Sequence, residues 1–200
     1  MRKTLFLFVL IITAVPAYCQ LSYFSATSIP VRNGKVEFRV DFDLPLDNQD
    51  IRNRIVYYLK NDLNPYSGVF LLDNDNHAVF RTTDYLVVSS EFVSVFSVYM
   101  TYRIVFEYQE NKCVAIIRDI TFMDKEEFET KEKVEAREKR KVNMPEYTAE
   151  DIMIKKKYKV LLIPQASKKI TESAVVRINE IFKDIDAILS RRSFDVPAEK

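Results

Sequence analysis

Residues 98–123 read VYMTYRIVFEYQENKCVAIIRDITFM, and their pattern decides the fold. Val98, Met100, Tyr102, Ile104, Phe106 and Tyr108 alternate with Tyr99, Thr101, Arg103, Val105, Glu107 and Gln109. A period of two in β-branched and aromatic residues predicts a strand with one face buried and one wet. After the polar break Gln109–Lys112 a second β-rich run follows, Cys113–Phe122, so the pair reads as an antiparallel hairpin. Two registers compete. A two-residue Glu110-Asn111 loop sets Phe106 opposite Ala115 and Ile104 opposite Ile117. A three-residue loop from Gln109 to Asn111 sets Phe106 opposite Val114, Ile104 opposite Ile116 and Met100 opposite Ile120. The second buries larger side chains, and a Glu-Asn pair suits poorly a turn that wants two positive φ angles. The three-residue loop is therefore expected, at the cost of placing Arg118 opposite Tyr102 on the buried face. A slip of one residue turns the second strand over.

Upstream, Val31-Arg32-Asn33-Gly34 is a turn signal, and Lys35–Leu44 alternates Val36, Phe38, Val40, Phe42 and Leu44 with charged residues. The acids on its wet face are read as a solvated strand face. The stretch before it, 20–33, is expected along the surface. Asp47 caps a helix over Asn48–Leu63, whose Ile51, Ile55, Tyr58, Leu59 and Leu63 form one stripe. Val69–Leu72 and Ala78–Val88 add two strands about the turn Asp73–Asn76.

Downstream, Asp124–Lys141 (DKEEFETKEKVEAREKRK) has nearly balanced charge and few apolar residues. It reads as an insertion, helical or disordered, whose removal should move the melting temperature by only a few degrees. Thr148–Lys156 suggests a helical turn or two, and Tyr158–Ile163 a short strand. From Glu172 to Ser190, Val175, Ile178, Ile181, Phe182, Ile185, Ile188 and Leu189 make a wide apolar stripe, with Arg177, Glu180, Lys183 and Asp184 on the wet side. Predicted burial concentrates on Phe38, Val40, Phe42, Ile55, Leu59, Ile104, Phe106, Ile178, Phe182, Ile185 and Leu189. The fold class is α+β: an antiparallel sheet with two helices on one face, in β-α-β-β-β-β-α order, plus the charged insertion 124–141.

Residues 1–19 have the anatomy of a signal peptide. Arg2 and Lys3 precede an apolar run Leu5–Val15 that is shorter than the ~20 residues of a membrane span, and Ala17-Tyr18-Cys19 fits a cleavage site. Cleavage leaves residues 20–200 as a single α+β domain starting at Gln20. A lipoprotein anchored through Cys19 is the less favoured reading, because Tyr18 is bulky where a small residue is wanted. No stable membrane insertion is expected once the leader is removed. Cys113 is then the one remaining thiol, expected as a small core hydrophobe.

A leader ending near Ala-x-Cys-Gln, the stretches IPVRNGKVEFRVDFDL (29–44) and NRIVYYLKNDL (53–63), and the strands YRIVFEYQ (102–109) and CVAIIRDITF (113–122) resemble a family of exported bacterial proteins, domain of unknown function 4468. The resemblance covers Pro30–Phe122 and, more loosely, the last helix. Glu110-Asn111 stands where family members often carry an Asp-Gly type turn, which bears on the local register. The resemblance implies a TATA-binding-protein-like fold and no known activity. Fold does not fix function, so the fold name carries no implication of DNA binding.

The chemistry points the same way. Thirty Lys and Arg balance 29 Asp and Glu to a net charge of +1, which offers no global field for nucleic acid. Only two glycines, Gly34 and Gly68, argue against a phosphate-cradling loop. His77, the single histidine, has neither a second ligand nor a nucleophile beside it. No cofactor, no metal and no catalysis are therefore expected. The leading expectation is a periplasmic or cell-surface interaction module for an unknown envelope protein or peptide, working through the open face or an edge of the sheet. Tyr99, Thr101, Arg103 and Glu107 form its candidate interaction face. The alternative is a carrier of an apolar small ligand between the sheet and the C-terminal helix, which the fourteen Phe and eleven Tyr would line. A carboxylate hydrolase ranks third, because the acids are spread along a wet strand face.

Overall fold

β1 (Val31–Arg32) and β2 (Lys35–Val36) form a tight hairpin about Asn33 and Gly34, both at positive φ (51° and 75°). The Asn-Gly pair supplies the left-handed geometry that a two-residue hairpin loop needs. The computed structural model describes residues 22–91, 94–159 and 165–191. The leader, most of the expected strand Tyr158–Ile163 and the end of the C-terminal tail lie outside them.

The predicted strand Lys35–Leu44 is interrupted at Glu37, whose N–H donates to the carbonyl of Pro30 at 3.2 Å, and resumes as β3 (Phe38–Asp43). α1 (Asn48–Tyr57) follows, capped as expected by Asp47, which accepts from the Asp50 N–H at 2.8 Å. Its final turn widens, so that the Leu63 N–H reaches the Tyr58 carbonyl five residues back. Then come β4 (Ser67–Asp73), β5 (His77–Glu91), β6 (Ser94–Gln109) and β7 (Lys112–Asp124). α2 (Lys125–Glu138) is the charged insertion, here helical. β8 (Tyr147–Thr148) and one wide helical turn at Glu150–Ile154 lead towards α3 (Ala166–Leu189). The fold is α+β. The sheet runs β3-β7-β6-β5-β4 with every neighbouring pair antiparallel, and β8 joins β7 beyond the end of β3.

α1 and α3 cover one face. Between them and the sheet lie Phe38, Ile55, Ile104, Phe106, Ile178, Phe182 and Ile185, all fully buried, each contributing about 1.5–3 kcal/mol by leaving water. Of the predicted core only Val40 is merely half-buried. Arg54 of α1 ties the two helices together. Its Nη1 donates to the carbonyls of Ile188, Leu189 and Arg191, closing acceptors that the end of α3 leaves open. The stretch expected to run along the surface does so, with none of residues 22–33 buried, and is held there by side-chain contacts. Asn179 of α3 exchanges two hydrogen bonds with the Phe24 backbone, both at 2.9 Å, and the Phe24 ring packs edge-on against Phe38.

The hairpin register departs from expectation. Phe106 pairs with Ala115 and Ile104 with Ile117, which is the register of the two-residue loop. Asn111 does adopt the left-handed conformation (φ 61°), but Glu110 stays out of that region, so the turn never needed two positive φ angles. The deciding cost is Arg118. In the observed register it faces solvent, and a bulge directly after it, with Asp119 at φ 54°, shifts the pairing so that Met100 meets Phe122. The inward set on β7 is thus Cys113, Ala115, Ile117, Ile120 and Phe122. Val114 and Ile116, expected inside, form a small second cluster with Val105 and Val79 on the outer face. The Cys113 thiol is buried, and burial pushes its pKa up to about 12. Iodoacetamide is therefore expected to label it only after unfolding; labelling of the native protein at the rate of a free thiol would show that β7 opens.

The outer face is not open throughout. α2 buries no residue of its own, yet its Phe128 stacks on Tyr99 with ring centroids 4.0 Å apart, and Tyr66 packs edge-on against both rings. Tyr99 and Met123 are buried on the face that α2 covers. The charge pattern concealed this, because the apolar surface being covered belongs to the sheet. Phe128→Ala is expected to cost about 1.5 kcal/mol in a urea titration, and deleting 125–141 more than that, against the few degrees the sequence suggested. A loss below about 0.5 kcal/mol would mean that the helix merely floats on the sheet.

Candidate functional site: a cleft along the free edge of β5

β5 is about twice as long as β4, and the difference creates the site. β4 pairs with β5 only from Asp73↔Ala78 to Ser67↔Thr83. Before Ser67 the chain turns away through Leu63-Asn64-Pro65-Tyr66, with Asn64 at φ 46°. From Asp84 onward, among the described residues, β5 has no strand partner on that side. The edge faces a cleft of about 820 Å³. Its walls are β5 at Asp84–Val87, the connection Asp62–Tyr66, and the α3 face carrying Glu172, Val176, Arg177 and Glu180.

A buried polar network holds the cleft in shape. Arg177 Nε donates to Asp84 Oδ2 at 2.7 Å, and its Nη2 donates to the Leu63 carbonyl at 3.0 Å. Tyr102 Oη donates to the same Asp84 oxygen at 2.8 Å. One guanidinium therefore joins α3, β5 and the end of α1. Burial works to lower the pKa of Arg177, but the Asp84 carboxylate outweighs it and the net shift is upward, so the group stays charged. Burial, with the Asp84 charge beside it, drives the Tyr102 phenol well above its usual range. Burial also raises Asp184, and the nearby Arg177 only partly offsets this.

Sequence reading missed both partners. Helical spacing puts Arg177 on the wet side of α3, but it lies over the edge of β5 and turns towards Asp84. Asp84 occupies the inward phase of β5, in line with Ala78, Phe80, Thr82 and Leu86, and an acid in that phase was the available signal.

The expected interaction face is divided. Tyr99 is under α2, and Thr101 is half-buried with its hydroxyl 3.0 Å from that of Thr83. Arg103 is exposed and pairs with Asp119 at 3.3 Å, and Glu107 is half-buried. The four residues do not form one open surface, because α2 covers the end of the face where Tyr99 lies. The space expected for an apolar ligand beneath α3 is filled by Ile178, Ile181, Phe182 and Ile185. A second cleft, about 310 Å³, lies between α2 and the outer face and carries both signs of charge. Among the described residues no three His, Cys, Asp or Glu side chains gather as a metal site, and no helix is long and apolar enough to cross a membrane.

Two crystal structures share this architecture. One is a DUF4468 family protein from Bacteroides ovatus ATCC 8483, with a TM-score of 0.64 and 16% identity, over 87% of this chain and 96% of that one. The other is a TBP-like protein from Parabacteroides distasonis ATCC 8503, with a TM-score of 0.61 and 14% identity, over 82% of this chain and 99% of that one. The fold is TBP-like. The likeness agrees with the resemblance read from the sequence and, at these identities, concerns the fold alone. No family model matches the sequence, and no curated protein matches it. Within the TBP-like sheet of this chain, the margin formed by β4 and the unpaired part of β5 is distinctive. Of nine exposed large apolar residues among those described, Tyr66, Val69, Leu71, Leu72, Tyr85, Val87 and Val176 lie along it.

Proposed function

We propose that this chain is a non-enzymatic exported protein, a periplasmic or cell-surface interaction module that engages an envelope protein or peptide along the β4–β5 margin. The observation that carries the reading is the free backbone edge of β5 opening onto a cleft. Unpaired strand N–H and C=O groups are a template for another extended segment, and natural proteins usually blunt such an edge with charge, proline or a covering element. Here, apolar side chains are exposed along the same margin, which is where a contact surface is expected to differ from the rest of the molecule. The basic and apolar leader supports export.

The test is photo-crosslinking in cells. A photoreactive residue at Val87 should give adducts with an envelope component, whereas the same residue at Arg39, on the opposite edge of the sheet, should not. Equal adducts from both positions, or adducts from Arg39 alone, would overturn the assignment of the margin. Mass analysis of the recovered protein checks export directly. Gln20 is the expected first residue, and an intact Met1 would refute processing.

A further inference from the structure

We infer that the β5 cleft selects an extended peptide of alternating basic and apolar residues, added as a further strand beside Asp84–Val87. The inference rests on the edge-binding reading above and names its ligand. In a strand added to β5, successive side chains point to opposite faces of the sheet. One phase points to the side of α3, where Asp62, Glu172 and Glu180 line the cleft. Arg177, the one cation among the lining residues, is already committed to Asp84 at 2.7 Å and lies 3.6 Å from Glu180. Glu172 has Lys168 at 3.9 Å, an exposed i,i+4 pair that competes weakly with a ligand. Acids outnumber bases on the helix-side wall, and Lys or Arg in this phase would meet Asp62 together with Glu172 and Glu180, whose own ion pairs are exposed and long.

The other phase meets a different surface. Tyr85 and Val87 point to the outer face, and Val87 is 51% exposed. The ammonium of Lys125 sits 5.5 Å above the Tyr85 ring and 3.8 Å from Glu129, so its charge is already matched and the surface a ligand meets there is the ring and the Val87 side chain. An apolar ligand side chain is accepted there, against the exposed Tyr85 and Val87. Val176, 58% exposed on α3, offers apolar contact to the stem of a long basic side chain in the first phase. The backbone edge fixes the direction of the ligand, and the two walls dictate its alternation. At about 3.3 Å per residue, four to six residues span the edge that faces the cleft.

The probe is a fluorescein-labelled Lys-Val-Lys-Val-Lys-Val peptide, followed by anisotropy against the 20–200 protein. Controls are Glu-Val-Glu-Val-Glu-Val and two N-methylated versions of the basic peptide, one methylated on the Lys amides and one on the Val amides. The basic peptide is expected to bind at least tenfold more tightly than the acidic one, and to weaken several-fold as salt rises. Successive strand amides point to opposite sides, so one N-methylated version should lose binding and the other keep it. The Glu172→Gln/Glu180→Gln variant, confirmed folded by its melting curve, should weaken the basic peptide about tenfold and leave a Ser-Val-Ser-Val-Ser-Val peptide unchanged. Equal binding of acidic and basic peptides would overturn the inference while leaving edge addition standing. Binding retained by both N-methylated versions would overturn edge addition itself.

Discussion

Arg177→Met is expected to lower the stability of the protein by about 3 kcal/mol, measured by urea titration. Breaking a buried ion pair costs about 3–5 kcal/mol because one charge is left without its partner. The figure sits at the low end because the Arg177 side chain keeps 21% of its exposure. The orphan would be Asp84, whose side chain is only 6% exposed and would retain a single donor, the Tyr102 hydroxyl. Asp84→Leu should cost less. It leaves the guanidinium with the Leu63 carbonyl, with Glu180 and with its path to water. Replacing the whole network, in the triple variant Asp84→Leu/Arg177→Met/Tyr102→Phe, should recover most of the loss, since apolar residues of similar volume often substitute for buried ion pairs at little cost. A larger loss for Asp84→Leu than for Arg177→Met would show that the network is not held as described. The measurement also bears on the cleft, because Arg177 joins all three of its walls.

The fold was legible where side-chain periodicity reports burial directly. β6 needed only its alternation, and α3 only its stripe. The wide face that marks α3 in the sequence is the face that lies against the sheet. What stayed hidden involved covering rather than being covered. The sequence of α2 carries charge all round the helix and none of its residues is fully buried, so it cannot show that Tyr99 lies beneath it. The candidate site was hidden for a related reason. It consists of missing strand pairing, which follows from β4 ending at Ser67 while β5 continues, and no residue type announces that difference in length. The role of Arg177 is not legible because helical spacing gives an angle around the axis of α3, not the distance to a neighbouring strand edge. Asp84 was the one local clue, a carboxylate in a buried phase, and it pointed to an ion pair across elements.

Deleting Ile116 is expected to cost more than about 4 kcal/mol or abolish folding, whereas deleting Asp119 should be tolerated. The contrast follows from the register of β7. Up to Ile117 the odd-numbered residues face the helices, and from Ile120 the even-numbered ones do, with the bulge at Asp119 making the change. Removing Asp119 joins Arg118 to Ile120 and leaves plain alternation: Ile117 in, Arg118 out, Ile120 in, Thr121 out, Phe122 in. It also removes a non-glycine residue at φ 54°, a conformation that costs roughly 1–2 kcal/mol, and sacrifices only the exposed contact with Arg103. Removing Ile116 also yields plain alternation, but Ile117 then turns outward and Arg118 turns inward opposite Ile104, with no acid to meet it. That arrangement places Arg118 inside, as the three-residue loop would have done, and the native bulge avoids it. Adding Arg118→Leu to the Ile116 deletion should therefore restore folding, since Ile117 can take the place of Ile116 in the outer cluster and Leu fills the inner position. Circular dichroism and urea titration of the three variants decide the matter. If the Asp119 deletion proves as damaging as the Ile116 deletion, the bulge is required for the twist that passes the edge of β7 from β3 to β8, rather than for keeping Arg118 in water.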